Sequence, residues 1–452
     1  MNPEIFREYD IRGIAGKDIT EDDVVRIGRA VGTYLVRRNR KDLCVGRDCR
    51  LTSEAYAARV IEGLRATGCS VTDIGVVPTP VFYFSIQHLQ KQGGVMVTAS
   101  HNPKEYNGFK LCIDLDSIHG AQIQEIGAMI GAGDFETGRG GLATAEVVDA
   151  YKTFVTANIR LARPLRVGVD AGNGTAGVVA VPILKNLGCE VHDLFCEMDG
   201  TFPNHGADPT VLKNMQDLIG LVKTEKLDLG IGFDGDGDRI GVVDETGNLV
   251  FGDRLMILFA REILTRKPGA TFIGEVKCSH TMYADIESRG GRAVMWKTGH
   301  SLIKKKMKEE KAELAGEMSG HMFFADRYLG YDDATYASCR LLEILAGTDK
   351  TLSELLSDVP ITFTTPEIRV ECPDDKKFAL VESVTEYFRG KYNVIDIDGV
   401  RVLFGDGWGL VRASNTQPAL VLRFEAASEE RLKEIRTLIE SVLSDMKRLL
   451  SS

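Results

Sequence analysis

Short apolar runs alternate with helical patterns along most of the chain. Three stretches, which begin with the apolar runs 43–48, 167–170 and 272–276, repeat the order strand, helix, glycine and strand. Strands that alternate with helices are typical of α/β domains with parallel or mixed sheets. We therefore predict three related α/β domains, and the pattern leaves open whether they arose by duplication.

The pattern changes after Pro366. A strand (367–371) and a helix (374–389) precede further strands and a long amphipathic helix that runs to Leu450. This order predicts a separate C-terminal α+β domain. The predicted fold class is α/β, with three related domains at 1–150, 151–252 and 253–365 and the α+β domain at 366–452.

Composition and charge narrow the functional classes. A chain of 452 residues that is 44% hydrophobic can bury several cores. The formal net charge of -10 argues against a nucleic-acid partner, whereas an anionic small molecule would need local Arg and Lys. The nine cysteines contain no CxxC pair, which argues against a disulfide framework or a zinc site. Without a secretion signal or a membrane-length apolar run, we expect a cytoplasmic protein with no membrane partner.

Three aspartates at alternate positions, Asp234, Asp236 and Asp238, follow an apolar run that predicts a buried strand. With glycines between them, these carboxylates can turn toward one hard cation such as Mg²⁺. An EF-hand is one alternative, because Glu245 falls on its twelfth position. However, Arg239 stands where that loop needs glycine, and a strand rather than a helix is predicted to follow. A solvated acidic turn is the other alternative, and it would leave like charges unneutralised beside a buried strand.

Ser100 lies in the loop 98–103, directly after the apolar strand 93–97. The loop lacks the Gly-x-Ser-x-Gly pattern of a hydrolase elbow. His101 is adjacent in sequence, so we expect it to be poorly placed as a general base for Ser100. These features favour a phosphate carrier over an acyl-enzyme nucleophile. A serine and asparagine turn without a catalytic role is the alternative.

Three further polar loops carry candidate chemistry. Glu317, Ser319 and His321 lie in one glycine-bracketed loop and could bind sugar hydroxyls, although a tight turn would have the same composition. The segment 412–418 links two predicted strands and offers a guanidinium, hydroxyls and an amide for a phosphate, or else forms a polar hairpin turn. His300 follows another strand and could transfer a proton near neutral pH, unless its role is structural.

Taken together, these runs resemble the α-D-phosphohexomutase family over essentially the whole chain and in the family's order. The loops at Ser100, at 234–239, at 316–321 and at 412–418 are similar to its phosphoserine, metal, sugar and phosphate loops. The runs 6–13 and 106–110 are also similar to family patterns. The resemblance implies a four-domain, heart-shaped monomer with a central cleft. The loop that contains Met318 is similar to that of the bacterial phosphomannomutase/phosphoglucomutase branch.

The resemblance implies that a phosphorylated Ser100 interconverts hexose 1-phosphate and hexose 6-phosphate through a 1,6-bisphosphate. It also implies Mg²⁺ as cofactor, a hexose 1,6-bisphosphate as activator and a phosphosugar as substrate. The implied catalytic residues are Ser100, Lys110 and His300, and the implied metal ligands are Ser100, Asp234, Asp236 and Asp238. The implied substrate-binding residues are Tyr9, Arg12, Arg239, Lys277, Lys297, Glu317, Ser319, His321, Arg412, Ser414, Asn415 and Thr416.

Two other functions stay open at this point. A phosphoglucosamine mutase would use the same fold and serine, and a sugar-phosphate sensor would bind the ligand without turnover. The full set of nucleophile, metal ligands and acid or base residues favours an enzyme over a sensor. Because the bisphosphate has to turn over between two half-reactions, we expect the C-terminal domain to move as a lid.

Overall fold

The computed structural model describes residues 1–415 and 417–449. Four β-sheets follow one another along the chain. Each sheet with its helices forms one unit, and we call these units I (1–144), II (148–250), III (252–355) and IV (363–449). The predicted α/β class with a C-terminal α+β part is confirmed by this arrangement.

Unit I begins with a short 3-10 segment and contains a sheet in the order β1-β5-β4-β2-β3-β7, with β6 paired to β5. Its elements are the 3-10 segment Pro3–Ile5, β1 (Ile11–Ile14), α1 (Glu21–Val36), β2 (Asp42–Arg47), α2 (Ser53–Arg65), β3 (Ser70–Val76), α3 (Thr79–His88), β4 (Gly93–Val97), β5 (Tyr106–Ile113), β6 (Asp116–Ser117), α4 (Ala121–Ala132) and β7 (Leu142–Thr144). All five residues of β4 are buried between parallel β2 and antiparallel β5. The serine loop therefore leaves the sheet from a central strand.

Unit II contains a sheet in the order β12-β11-β10-β8-β9. Its elements are α5 (Val148–Asn158), β8 (Arg166–Asp170), α6 (Gly177–Asn186), β9 (Glu190–Leu194), the 3-10 segment Leu212–Met215, α7 (Gln216–Glu225), β10 (Leu229–Phe233), β11 (Ile240–Asp244) and β12 (Leu249–Val250). Strand β10 is wholly buried and pairs in parallel with β8 and in antiparallel with β11. The aspartate loop is the connection between β10 and β11.

Unit III contains a sheet in the order β14-β13-β15-β16. Its elements are α8 (Gly252–Arg266), β13 (Thr271–Glu275), α9 (His280–Ser288), β14 (Arg292–Trp296), α10 (His300–Glu310), β15 (Leu314–Gly316), β16 (Met322–Phe324), α11 (Ala334–Ala346) and α12 (Leu352–Leu355). Strands β15 and β16 form an antiparallel hairpin, and the predicted sugar loop connects them.

Unit IV contains a sheet in the order β17-β22-β21-β20-β19, with β18 also paired to β22. Its elements are β17 (Phe363–Thr364), β18 (Ile368–Glu371), α13 (Asp374–Arg389), β19 (Asn393–Ile395), β20 (Val400–Leu403), β21 (Gly407–Ala413), β22 (Ala419–Ala426) and α14 (Glu429–Leu449). The segment that follows β21 is the predicted phosphate loop. Strand β17 precedes the predicted limit at residue 366 and pairs with this sheet.

The three repeated stretches form the same substructure. In each, two strands pair in parallel across one helix: β2 with β3, β8 with β9, and β13 with β14. Strand order and pairing cannot decide common descent, so duplication stays a prediction, as do the domain limits.

The described residues contain three large apolar clusters. One lies within unit I, between its sheet and helices α1, α2 and α4. A second runs continuously from α3 of unit I through unit II to α8 and α11 of unit III. Unit IV has its own cluster between its sheet and helices α13 and α14. A small cluster of Val276, Trp408 and Leu410 lies between units III and IV. Unit IV is therefore attached to the rest through a much smaller apolar contact than those that join units I to III.

Two expectations about composition can be compared with the structure. All nine cysteines lie among the described residues, and none of them forms a disulfide. None of the helices within 1–415 and 417–449 is both long and apolar enough to cross a membrane.

Candidate active site

The structure brings Ser100 into contact with the aspartate loop. Ser100 Oγ donates a hydrogen bond to Asp234 Oδ2 at 2.5 Å, and both side chains are buried. The same carboxylate accepts the backbone N–H groups of Asp238 and Arg239 on its other oxygen. The turn is thus closed around Asp234, and the serine of unit I is joined directly to the loop of unit II.

His101 lies closer to Ser100 than its sequence position suggested. Its Nδ1 is 3.2 Å from Ser100 Oγ. The reason is the left-handed backbone of Ser100, with φ of 49°, which folds the two side chains toward each other. Because the single hydroxyl hydrogen of Ser100 is given to Asp234, His101 Nδ1 is the donor in this contact. The pair therefore does not have the geometry of a serine and its general base.

Asp234, Asp236 and Asp238 are all fully buried, and one ammonium group lies among them. Lys110 Nζ is 2.7 Å from Asp236 Oδ2 and also contacts Asp238 Oδ2. Burial lowers the pKa of Lys110, but these two carboxylates raise it by more, so the group is an ammonium. Burial and the two neighbouring carboxylates raise the pKa of Asp234 well above its usual range. This cluster has an excess of negative charge that one lysine does not balance.

The aspartate loop fits a metal ion. One oxygen of each of the three carboxylates lies within 4.8 Å of the others. Among the described residues, Asp236 Oδ1 has no hydrogen-bond partner although it is buried, and the equally buried Asp238 Oδ1 forms an ion pair with His321 Nε2 at 3.3 Å. Buried carboxylate oxygens without donors are costly unless a cation is bound to them. Oxygen ligands of this kind are typical of hard divalent cations.

An EF-hand is excluded by the position of Glu245. Its carboxylate accepts hydrogen bonds from Ser353 at the start of α12 rather than facing the aspartates. The chain after Arg239 continues as β11, whereas an EF-hand needs a helix there.

The predicted sugar loop packs directly on the aspartate loop. Gly320 O accepts a hydrogen bond from Ile240 N at 3.1 Å. A Cβ on Gly320 would lie 2.2 Å from Ile240 O, and its φ is +96°, so this close approach requires glycine. His321 Nδ1 is 2.6 Å from Glu317 Oε2, and its Nε2 is 3.3 Å from Asp238 Oδ1. The loops of units II and III therefore form one surface.

The two charged groups of the sugar loop stabilise each other. Burial raises the pKa of Glu317, but the hydrogen bond and charge of His321 lower it by more, to about 2. Burial lowers the pKa of His321, but the Asp238 carboxylate raises it by more, and the pKa is about 9. Ser319 Oγ donates to the same Glu317 oxygen at 3.1 Å. This loop presents an ionised carboxylate and a hydroxyl, which suits recognition of sugar hydroxyls.

His300 begins α10 and is buried next to Tyr9 and His321, with ring centroids 6.1 Å and 5.8 Å away. Its Nδ1 has no hydrogen-bond partner among the described residues. Burial and the charges of Lys304 and Lys110 lower the pKa of His300 well below its usual range. The imidazole is therefore neutral and able to accept a proton.

The predicted phosphate loop is held by contacts with units I and III. Arg412 Nε donates to Asp398 Oδ2 at 3.0 Å, and the same oxygen accepts Thr298 N at 3.0 Å. Asn415 Nδ2 donates to Tyr9 Oη at 2.6 Å, and Tyr9 Oη donates to Thr298 O at 2.6 Å. Ser414 is a buried residue of the same loop. Thr416 lies outside the described residues.

The remaining predicted binding residues differ in their placement. Arg12 donates to Asn102 Oδ1 in the serine loop at 2.7 Å, and Arg239 Nε lies 3.3 Å from His321 Nε2. Lys277 is buried, with Nζ 3.1 Å from Glu367 Oε2. Lys297 is exposed, and its charge acts on Glu8.

Several residues of the site were not among the residues predicted from the sequence. Thr79 Oγ1 and Thr98 Oγ1 donate to Asp236 Oδ2 at 2.6 Å and 3.3 Å. Thr79 begins α3 and lies 157 positions from its partner. Asp398, which orients Arg412, lies in a short turn before β20. Thr79 and Thr98 meet Asp236 only because units I and II pack against each other.

Four family models match the chain in order. They are described as Phosphoglucomutase/phosphomannomutase alpha/beta/alpha domain I, matched at residues 3–137, domain II at 146–247, domain III at 251–363, and the C-terminal domain at 367–441.

Relatives of known name match over nearly the full length. A Phosphomannomutase/phosphoglucomutase from Pseudomonas aeruginosa is 47% identical over 97% of this chain and 95% of its own. A Phosphoglucomutase from Neisseria gonorrhoeae is 42% identical over 99% of this chain and 98% of its own. The crystal structure of a Phosphoglucomutase/phosphomannomutase family protein from Burkholderia thailandensis matches with a TM-score of 0.93 and 42% identity, over 99% of this chain and 98% of that one. The chain therefore belongs to the phosphoglucomutase/phosphomannomutase family.

Proposed function

We propose that the protein interconverts hexose 1-phosphate and hexose 6-phosphate through a phosphoserine at Ser100. The observation that carries this proposal is the hydrogen bond from Ser100 Oγ to Asp234, one member of the buried carboxylate triad. It places a hydroxyl that can carry a phosphoryl group against a candidate metal site. The names of the relatives from Pseudomonas and Neisseria support the same reaction class.

The reaction has two balanced half-reactions. In the first, the free hydroxyl of a hexose monophosphate attacks the phosphorus on Ser100, the Oγ–P bond breaks, and a 1,6-bisphosphate forms. The proton of the attacking hydroxyl goes to His300, which is neutral and buried in the cleft. After the bisphosphate turns over, the same Ser100 oxygen attacks its other phosphoryl group and the bond between that phosphorus and the sugar oxygen breaks. The departing sugar oxygen takes up the proton that His300 received in the first half-reaction. Lys110 pairs with two carboxylates and contributes positive charge rather than a base.

The metal is Mg²⁺ in this proposal, held by Asp234, Asp236, Asp238 and an oxygen on Ser100. When bound, it neutralises charge on the transferring phosphoryl group. Arg239 reaches the triad from the side of the sugar loop, with Nε 3.9 Å from Asp234 Oδ2. A hexose 1,6-bisphosphate is the proposed activator, because it phosphorylates Ser100 before the first turnover.

Separate loops hold the rest of the substrate. Glu317 and Ser319 bind sugar hydroxyls in both orientations of the bisphosphate. The phosphate that does not react is bound by side chains of unit IV, with help from cations on the other units. The proposed set is Arg412, Ser414, Asn415 and Thr416, with Tyr9, Arg12, Lys277, Lys297 and His321 along the cleft.

The small apolar contact of unit IV supports its role as a lid. The hydrogen bond between Asn415 and Tyr9 would close the cleft, and its loss would open it. We also propose that the protein acts as a cytoplasmic monomer and that glucose and mannose phosphates are its substrates.

The test is a coupled assay primed with glucose 1,6-bisphosphate. Glucose 1-phosphate and mannose 1-phosphate are each supplied, and the 6-phosphates are detected by their dehydrogenase or isomerase couples. Turnover of either sugar is expected. Glucosamine 1-phosphate is supplied in a parallel reaction, and its turnover alone would redefine the substrate. Binding of all three sugar phosphates without turnover would identify a sensor.

A further inference from the structure

Arg50, which no motif in the sequence indicated, lies directly beneath the serine loop. It follows β2 and is 3% exposed. We propose that Arg50 is a positioning residue, which fixes the backbone of the serine loop so that Ser100 is aligned for phosphoryl transfer. This inference rests on the proposed function.

One guanidinium binds three backbone carbonyls of the serine loop and a fourth at the first residue of β5. Arg50 Nη2 donates to Ser100 O at 2.8 Å and to Asn102 O at 2.6 Å. Its Nη1 donates to Pro103 O at 2.7 Å and to Tyr106 O at 3.1 Å. The loop is irregular, and the planar fork of arginine supplies side-chain donors to all four carbonyls.

The guanidinium is itself held in place. Its Nε donates to Asp48 Oδ2 at 3.1 Å, and Asp48 Oδ1 accepts Ser53 Oγ at 2.5 Å and Arg50 N at 3.0 Å. Every donor of the side chain is therefore committed to either Asp48 or the loop. A buried side chain with no free donor has one orientation. It therefore fixes the positions of the carbonyls that it binds.

The carbonyl of Ser100 contacts both Arg50 and the aspartate loop. On one side it accepts from Arg50, and on the other it contacts Gly235, where a Cβ would lie 2.5 Å from Ser100 O. Ser100 also has a φ of 49°, a conformation that is unfavourable for a residue with a side chain. Arg50 thus stabilises a strained residue and sets its distance from the loop that carries Asp234.

The substitution Arg50→Lys would keep the positive charge but not the hydrogen-bond geometry. A single ammonium cannot span four oxygens and a carboxylate, so part of the loop would lose its donors. The sugar and phosphate contacts come from other loops and would stay. We therefore expect Arg50→Lys to lower kcat about 10- to 100-fold, with KM for glucose 1-phosphate changed by less than about twofold, because small misplacements of reacting groups slow the chemical step.

The experiment compares Arg50→Lys with Arg340→Lys. Arg340 is 1% exposed and bonds to Asp326 and Glu262 in unit III, away from the proposed cleft residues. Both proteins are checked by circular dichroism, and kcat and KM are measured per folded molecule. The rate at which glucose 1,6-bisphosphate phosphorylates Ser100 is followed by intact mass in a single turnover. The expected result is a slow Arg50→Lys and an Arg340→Lys with wild-type kcat and phosphorylation rate.

A second variant covers the case in which Arg50→Lys does not fold. Asp48→Asn leaves Arg50 in place but removes the carboxylate that orients it, so a smaller fall in kcat at unchanged KM is expected. Wild-type kcat and phosphorylation rate in a folded Arg50→Lys, or in Asp48→Asn if that is the only folded variant, would overturn the inference. An inactive wild-type protein would instead overturn the proposed function.

Discussion

Replacement of Lys110 by methionine tests the charge balance of the aspartate triad. In the protein without metal, the Lys110 ammonium is the cation in contact with both Asp236 and Asp238. Methionine has a similar length and fills the same space without the charge. The variant should therefore be unstable without metal and should bind a divalent cation more tightly than the wild-type protein.

The magnitudes follow from burial and distance. Removal of one partner from a buried ion pair costs about 3–5 kcal/mol, which corresponds to a fall in Tm of roughly 3–5 °C for cooperative unfolding of a chain of this length. Two unit charges 4 Å apart interact by about 4 kcal/mol at an effective dielectric constant of 20. Even a third of this repulsion between the ammonium and a bound cation would weaken the metal about tenfold. We therefore expect Mg²⁺ to raise the Tm of Lys110→Met by roughly 1.5 °C more than that of the wild-type protein.

The assay is thermal unfolding with EDTA and with saturating Mg²⁺. Lys277→Met is the matched control, because Lys277 is also a buried lysine near two carboxylates, Glu275 and Glu367, outside the triad. The control should lose stability but respond to Mg²⁺ as the wild-type protein does. If Mg²⁺ shifts the Tm of Lys110→Met no more than that of the wild-type protein, Lys110 and the metal do not share the triad.

Three further outcomes are expected. Intact-mass analysis should find phosphate on Ser100, and Ser100→Ala should lower kcat by at least about a thousandfold, while a fully active variant would exclude a phosphoserine mechanism. EDTA should abolish turnover and Mg²⁺ should restore it, whereas unchanged activity after exhaustive chelation would exclude the metal. The Lys277 charge lowers the pKa of Glu367 from 4.5 to about 2, so the pair stabilises the fold above pH 4.5 and this contribution is lost as the pH falls toward 2. Denaturant titrations of Glu367→Gln should therefore differ from wild type by at most about 3 kcal/mol at pH 7 and converge near pH 2, and a constant difference would refute this assignment.

The local elements of the fold were readable from the sequence because their signals are short in range. The predicted helix 374–389 coincides with α13 (Asp374–Arg389), and the apolar run 93–97 coincides with β4 (Gly93–Val97). Their hydrophobic period and their turn residues depend on neighbours within a few positions. The loops that carry Ser100 and the three aspartates were found for the same reason, since each is a compact motif at the end of a strand.

What the sequence could not give are contacts between positions far apart in the chain. The bond from Thr79 to Asp236 spans 157 positions, and that from Asn415 to Tyr9 spans 406. No periodic pattern carries such pairs, because they exist only once the units have packed. The short distance from His101 Nδ1 to Ser100 Oγ also depends on one left-handed residue in an irregular loop.

The sequence by itself therefore determined the fold class, the candidate nucleophile and the candidate metal ligands. The tertiary structure decided how these groups act together: Lys110 as the cation within the triad, the sugar loop packed on the aspartate loop, and Arg50 beneath Ser100. The physical reason is that a strand or a motif is specified by local spacing, whereas charge balance and backbone support in a buried cleft depend on groups that only folding brings within bonding distance.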